Sequence, residues 1–153
     1  MLALGICVSL CLGVGMASGY LTADSVAEWY PRITKPSWTP PSWLFGPVWT
    51  ILYVLMAVSA WRIWTRHRHE RALLCLGIFS VQLAFNALWT GIFFGMRNPF
   101  LAFIEIIALW LLILLTIILF FNRDRLAGYL LIPYLMWVTF AAALNGAIAF
   151  LNM

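Results

Sequence analysis

The stretch KPSWTPPSW at residues 35–43 separates two long apolar segments and fixes where the first membrane-spanning helices end and begin. Its three prolines lack a backbone N–H and restrict φ, so the stretch is neither regular helix nor central strand. Two tryptophans and three hydroxyl side chains accompany the prolines. The sequence therefore predicts a rigid, aromatic connection between two spans.

The composition is that of an integral membrane protein. The 153 residues are 65% hydrophobic and only 9% charged, whereas a soluble domain is about half apolar and a quarter charged. A transmembrane helix needs about 20 predominantly apolar residues. We therefore predict an all-α fold, with residues 1–153 forming a single domain of five antiparallel transmembrane helices and a long structured first loop at 23–43. The predicted spans are 2–22, 44–64, 72–95, 100–121 and 127–151.

The basic residues predict the orientation in the membrane, since cytoplasmic loops carry an excess of Lys and Arg. Six bases flank the second and fourth loops and three lie on the opposite side, which predicts a cytoplasmic N-terminus and an outward-facing first loop and C-terminus. We expect the bacterial inner membrane. The net charge of +4 is small and scattered, so we expect no nucleic-acid partner. The bases that flank the second and fourth loops are Arg62, Arg66, Arg68, Arg71, Arg123 and Arg125. Those on the opposite side are Arg32, Lys35 and Arg97.

Histidine ligands for a metal or haem are absent from the predicted spans. His67 and His69 both lie in the second loop, so no span offers a histidine as an axial ligand. The three cysteines have no metal-ligand spacing and are expected to be packing residues. We predict no metal, no cofactor and no hydrolytic site.

Polar and aromatic residues form stripes along three predicted helices. Amides at membrane depth face protein or a wet cavity, because lipid offers them no partners. Converging stripes would line a pocket for a flat, largely apolar ligand with one or two polar edges. The same residues also fit ordinary packing or an interfacial belt. The stripes are Gln82, Asn86 and Trp89; Trp49 and Tyr53; and Pro133, Trp137 and Ala141, with Tyr134 and Asn145 beside the last.

Two prolines bear on the ends and shape of the helices. The second helix begins either at Pro40, capped by Thr39, or near Gly46 after a separate short turn. Pro133 removes one hydrogen bond from the fifth helix, so we expect a kink there.

Two further features of the spans have structural explanations. Gly15 and Gly19 form a G-x-x-x-G pair, which predicts a groove for close packing. Glu105 is the one acid expected inside a span. A neutral, hydrogen-bonded carboxyl near the start of the fourth helix is favoured over a proton relay.

Three blocks in one order identify the family that the sequence resembles. They are KPSWTPPSW at 35–43 followed by GPVWTILY at 46–53, AFNALWTGIFFG at 84–95, and LLIPYLMWVTFAAALN at 130–145. Together they cover nearly the whole chain and are similar to the tryptophan-rich sensory protein/translocator protein family, also called peripheral-type benzodiazepine receptors.

The resemblance implies a homodimeric five-helix receptor or sensor that regulates tetrapyrrole metabolism or transport. Its ligands would be porphyrins such as protoporphyrin IX and benzodiazepine- or isoquinoline-type molecules. Trp49 and Trp137 correspond to the tryptophans implicated in light-dependent porphyrin breakdown, so a porphyrin-degrading enzyme is one alternative and a tetrapyrrole or sterol transporter another. The implied ligand-binding residues are Tyr30, Pro40, Pro41, Trp49, Tyr53, Asn86, Trp89, Trp137 and Ala141.

The rigid first loop is interpreted as a lid over this pocket. Its prolines lower the entropy lost on ordering, and Arg32 and Lys35 are candidates to attract porphyrin propionates. The chain ends in AFLNM at 149–153 and lacks the cholesterol-recognition pattern that animal members carry there. A tetrapyrrole is therefore the expected ligand, rather than a sterol.

Overall fold

The structure, a computed structural model, describes residues 2–66 and 69–153, with only the backbone of 69–71. Within this part of the chain all five helices are long and apolar enough to cross a bilayer, which confirms an all-α, multi-pass integral membrane protein. His67 and Arg68, and the side chains of His69 and Arg71, lie outside the described residues. The helices are α1 (Leu2–Asp24), α2 (Ser42–Arg66), α3 (His69–Thr90), α4 (Pro99–Phe121) and α5 (Arg125–Leu151).

The helices form a ring in the order α1, α2, α5, α4, α3, with α3 returning to α1. Each helix contacts its neighbour in sequence, as predicted, and α4 packs most extensively against α5. The centre is filled by large apolar side chains, among them Met56, Ile63, Leu109 and Ile113, all at most 1% exposed. These buried side chains form a packed core beneath the bundle end that faces the first loop.

The first helix continues past its predicted end. The π-helical segment Ser25–Trp29 extends α1, and the N–H of Tyr30 donates to the carbonyl of Ser25 at 2.9 Å. The connection to α2 is therefore residues 30–41 and not the predicted 23–43. The reason is that no helix breaker occurs before Pro31, which cannot donate the next helical hydrogen bond. A second π-helical segment, Gly91–Gly95, extends α3 in the same way.

The start of α2 differs from both predictions. It begins at Ser42, after a turn in which the Thr39 hydroxyl and N–H both donate to the carbonyl of Pro36, at 2.7 and 3.1 Å. Thr39 therefore stabilises the loop and does not cap the helix. Pro47 lies inside α2, where its missing N–H removes a single hydrogen bond close to the helix end.

Hydrogen bonds fix the first loop, both to Asn152 at the end of α5 and within the loop itself. The N–H of Thr34 donates to Asn152 Oδ1 at 3.0 Å, and Asn152 Nδ2 donates back to the Thr34 carbonyl at 2.9 Å. Within the loop, Lys35 Nζ donates to the carbonyls of Tyr30 and Ile33 at 2.6 and 3.1 Å. The first loop and the C-terminal end of α5 thus lie at the same end of the bundle, as the predicted topology requires.

Asp124 joins α2 to α5 at the opposite end. Its carboxylate accepts from the N–H groups of Leu126 and Ala127 at the start of α5, at 2.9 and 3.2 Å. Arg62 Nη2 lies 2.8 Å from the second oxygen. Burial alone would raise the pKa of Asp124, but the hydrogen bonds from Arg62, Ala127 and Leu126 and the Arg62 charge outweigh it and lower the pKa.

Replacing Asp124 with Ala is expected to lower the free energy of unfolding by about 1–3 kcal/mol, because it removes a helix cap and leaves a half-buried guanidinium unpaired. Since the folded-state pKa is depressed, the contribution is complete above the pKa of the unfolded carboxyl and is lost as the pH falls through the folded value. Thermal unfolding in detergent at several pH values measures both effects.

The control is Asp24→Ala, since the Asp24 side chain is exposed and caps no helix. Equal melting temperatures for Asp124→Ala and Asp24→Ala at neutral pH would contradict the assigned role.

Candidate ligand-binding cavity

A cavity of about 620 Å³ opens at the bundle end that carries the first loop. Its walls come from α1, α2, α5, the end of α3 and the second π-helical segment. Ligand pockets in proteins typically have volumes of about 300–1,000 Å³. The cavity is therefore large enough for a ligand of several fused or linked rings.

Aromatic rings from three helices form most of the wall. Trp49 and Tyr53 of α2 lie with ring centroids 5.6 Å apart. Trp89 stacks on Phe93 at 5.3 Å. Trp137 of α5 packs edge-on against Phe45, at 5.8 Å. These contacts hold the rings in fixed positions around the cavity, which favours a flat apolar ligand over a polar one.

Tyr30 closes the cavity from the first loop. Tyr30 is 9% exposed and contacts the Phe94 ring at 5.7 Å between ring centroids. Lys35 Nζ lies 4.9 Å from the centroid of the Tyr30 ring. Burial raises the pKa of the Tyr30 phenol, so the group stays neutral at physiological pH. Further along the loop, Trp38 packs on Phe140 of α5 at 5.8 Å.

A buried hydrogen-bond chain stands behind the wall. The Tyr53 hydroxyl donates to Asn86 Oδ1 at 2.6 Å, and Asn86 Nδ2 donates to the Tyr134 hydroxyl at 3.1 Å. Asn86 is 1% exposed and Tyr134 fully buried. The chain links α2, α3 and α5 and fixes the ring of Tyr53, which faces the cavity.

A second chain fixes Trp89. Its indole N–H donates to Asn145 Oδ1 at 2.9 Å, and Asn145 Nδ2 donates to the carbonyl of Pro99 at 2.7 Å. That carbonyl belongs to the first turn of α4. Trp89 is thus held through α5 to α4, although α4 itself contributes no side chain to the cavity lining.

The structure brings most, but not all, of the predicted site residues to the cavity. Asn86 lies behind Tyr53, while Pro40, Pro41 and Arg32 lie in the loop outside the lining. Lys35 is occupied by loop carbonyls. The assignment of all eleven residues as ligand contacts stays a prediction. The predicted residues that line the cavity are Tyr30, Trp49, Tyr53, Trp89, Trp137 and Ala141.

One wall was missed by the sequence interpretation. Small and β-branched residues of α1 and its π-helical extension line the cavity at positions 15, 19, 22 and 26. This spacing of four, three and four residues marks a single helix face. The G-x-x-x-G pair was the visible part of this face. Gly15 packs tightly, since a Cβ there would overlap the Tyr53 ring, whereas Gly19 has open space in front of it.

Metal-binding clusters do not occur in the described part of the chain. No group of three or more His, Cys, Asp or Glu side chains converges there. Cys11 is buried in the apolar core.

Comparison with known proteins assigns the family. The profile of the TspO/MBR family matches residues 7–151, and the chain belongs to this family. It is 40% identical over 152 residues to "Tryptophan-rich protein TspO" of Chlorobaculum tepidum, covering 99% of this chain and 96% of the relative. It is 43% identical over 129 residues to "Protein CrtK" of Rhodobacter capsulatus, covering 84% and 81%. It is 34% identical over 145 residues to the human "Translocator protein", covering 94% and 85%.

Replacing Gly15 with Ala is expected to displace the Tyr53 ring and strain its hydrogen bond to Asn86, because the added Cβ overlaps that ring. We expect the free energy of unfolding to fall by about 1–3 kcal/mol, as for overpacked cores. Thermal unfolding of the purified protein measures the change.

Gly13→Ala is the matched control on the same helix, since nothing lies within 4 Å of a Cβ at Gly13. It should be neutral or slightly stabilising, because Ala favours helix over Gly. If both variants unfold like the parent, the close contact between Gly15 and Tyr53 is not a constraint on the fold.

Proposed function

We propose that this TspO/MBR family member is a membrane receptor or sensor that binds flat, predominantly apolar tetrapyrroles of the protoporphyrin IX type and so regulates their metabolism or transport. The observation that carries the proposal is the cavity of about 620 Å³ lined by aromatic rings of α2, α3 and α5 and by Tyr30 of the first loop. Benzodiazepine- and isoquinoline-type molecules share the required shape. We also propose that the chain works as a homodimer in the bacterial inner membrane.

The cavity suits a large planar ligand on three physical grounds. Trp49 and Trp137 offer indole faces for stacking, and each aromatic pair contributes about 0.5–1.5 kcal/mol beyond its buried area. Ala141 is small and leaves room beside Trp137. The buried Trp137 N–H has no hydrogen-bond partner within the described residues, so a polar edge of the ligand would satisfy it if the indole turned toward the cavity.

The charges near the mouth fit a ligand that carries carboxylates. Lys35 already donates to loop carbonyls, so Arg32 is the better candidate for a propionate. Arg32 is exposed, and its guanidinium forms no ion pair with the acids of the described chain. Arg32 and Lys35, which were both candidate propionate contacts from the sequence, thus receive different roles.

Porphyrin binding is expected to quench tryptophan fluorescence in a saturable way. Asn86→Ala should weaken the affinity by about tenfold or more, because it removes two buried hydrogen bonds that fix Tyr53 and Tyr134. Trp137→Phe should weaken it less, since stacking is kept in part. A titration of purified protein with protoporphyrin IX measures both dissociation constants.

Trp43→Phe is the control for these titrations, since Trp43 is 72% exposed and does not line the cavity. Its affinity should equal that of the parent. Unchanged affinity in both Asn86→Ala and Trp137→Phe would place the porphyrin site elsewhere.

A second candidate function, light-dependent porphyrin degradation, is favoured by the placement of two indoles on the cavity wall. Trp49 and Trp137 both line it, so a bound porphyrin would lie against an electron donor. The excited porphyrin would take an electron from the indole, and dioxygen would serve as the final oxidant. In this mechanism both tryptophans are reactants as well as walls.

Trp49→Phe is expected to slow the light-dependent loss of porphyrin absorbance by at least about tenfold at saturating porphyrin, because phenylalanine is a much poorer electron donor. The measurement is product formed per protein under illumination in air, with Trp43→Phe and darkness as controls. Degradation by Trp49→Phe at the parent rate would remove this mechanism and leave the receptor function intact.

A further inference from the structure

An acid outside the cavity is buried without a partner. Glu105 of α4 is 8% exposed, and neither of its carboxyl oxygens has a hydrogen-bond partner within the described residues. The expectation of a hydrogen-bonded acid is therefore wrong. Glu105 lies six residues beyond Pro99, about 9 Å along the helix axis, and it does not line the cavity.

Ionisable groups are scarce around Glu105. The helix α4 packs against α5, α3 and the second π-helical segment. On α4 itself Glu105 is the one titratable residue, and the π-helical segment has none. Apart from the first three residues of α3, the titratable side chains of the packed helices are Cys75 on α3, and Arg125, Tyr129 and Tyr134 on α5.

A basic partner is not available within this part of the fold. Arg125 lies at the far end of α5, in its first turn. Arg97 is exposed and lies outside α4, two residues before its first residue, Pro99. A carboxylate at Glu105 would thus be buried without a counter-charge, which is unfavourable inside a bilayer.

Tyr134 connects this acid to the cavity wall. It lies on α5, the helix that packs most extensively against the helix of Glu105, and it is fully buried. Its oxygen accepts from Asn86, while its own O–H donates to no atom of the described chain. Asn86 in turn accepts from Tyr53 on the cavity wall. Gln82 lies one turn from Asn86 on the same face, 1% exposed, and both of its amide atoms also lack partners.

We propose that Glu105 is an intramembrane proton-binding site, occupied by a proton at neutral pH, and that loss of this proton weakens ligand binding through Tyr134, Asn86 and Tyr53. The neutral carboxylic acid is also the form that an apolar carbodiimide modifies. The part concerning ligand affinity rests on the proposed function, and the part concerning the proton does not.

The coupling follows from the unused donors. A carboxylate at Glu105 would need hydrogen bonds, and two donors without acceptors lie on the helices that pack against α4: the Tyr134 O–H on α5 and the Gln82 amide on α3. Turning Tyr134 toward Glu105 strains the bond from Asn86, and so releases Tyr53 from its fixed position. The cavity wall is then less well organised for a ligand.

The sign of the pH dependence is fixed by proton linkage. If Glu105 is neutral in the folded protein at a pH where the unfolded carboxyl is ionised, the folded state binds the additional proton. Stability then falls as the pH rises through the folded-state titration. This is opposite to the contribution of Asp124, which is lost on acidification.

Carbodiimide labelling tests the proton-binding site without any ligand. The acid O–H adds across one C=N bond of dicyclohexylcarbodiimide, and the acyl group then shifts from oxygen to nitrogen to give a stable N-acylurea with no leaving group. We expect mass spectrometry to find this adduct on Glu105, with a yield that falls as the pH rises. A water-soluble carbodiimide should prefer the exposed Glu28. No adduct on Glu105 at any pH would overturn the proposal.

Glu105→Gln tests the coupling, with Glu28→Gln as the control. The parent and the control should lose at least about fivefold in protoporphyrin IX affinity from neutral to alkaline pH, within the usual range of coupling between sites. Glu105→Gln should lose less, and its unfolding should be less sensitive to alkali. If Glu105→Gln matches the parent in the pH dependence of both unfolding and affinity, Glu105 is not the site. If porphyrin fails to bind any variant, the proposed function fails, and the labelling and unfolding data still decide the proton site.

Discussion

Polar side chains within a bilayer must find their partners inside the protein, and the hydrogen-bond chain through Tyr53, Asn86 and Tyr134 depends on this constraint. The chain joins α2, α3 and α5. An amide is suited to the central position, since it accepts from one phenol and donates to the other without carrying charge. The same hydrogen bonds fix Tyr53 on the cavity wall, so they determine both the packing of the helices and the shape of the cavity.

The two ends of the bundle are fastened by different physical means. At the end away from the cavity, Asp124 combines an ion pair with a helix cap. At the cavity end, the Thr34 backbone and the Asn152 side chain exchange two hydrogen bonds, and the Lys35 ammonium donates to loop carbonyls. The first loop is therefore fixed by hydrogen bonds to Asn152 and to its own carbonyls, and the Lys35 charge is satisfied within the loop.

Composition and hydropathy were sufficient to predict the five helices. The stripes predicted the convergence of Trp49, Tyr53, Trp89 and Trp137 on a cavity only as an alternative to ordinary packing, and the family resemblance favoured the cavity. The contribution of α1 was harder to predict, because a glycine on a cavity wall has the same sequence pattern as a glycine in a packed groove. The polar stripe predicted the helix face that carries Asn86, but not that Asn86 lies behind Tyr53 while Trp89 on the same face lines the cavity.

The helix ends were the least predictable part of the fold. Residues 25–29 carry no proline or glycine that would end α1, and the contacts of Trp29 and Tyr30 with Phe93 and Phe94 hold this π-helical extension against the end of α3. The hydrogen bonds from Lys35 to loop carbonyls were also not predicted from the sequence. A lysine close to a proposed anion site is more readily interpreted as a ligand contact than as a donor to the loop backbone.

The pairing of Thr34 with Asn152 has a practical consequence for how the protein is handled. An affinity tag joined after Met153 would begin two residues beyond Asn152, whose side chain is hydrogen-bonded to the first loop. A tag placed before Leu2 would emerge at the far end of the bundle, where α1 starts. Preparations that differ only in tag position would therefore differ in the mobility of the first loop. Amino-terminal fusions leave the cavity end of the bundle undisturbed.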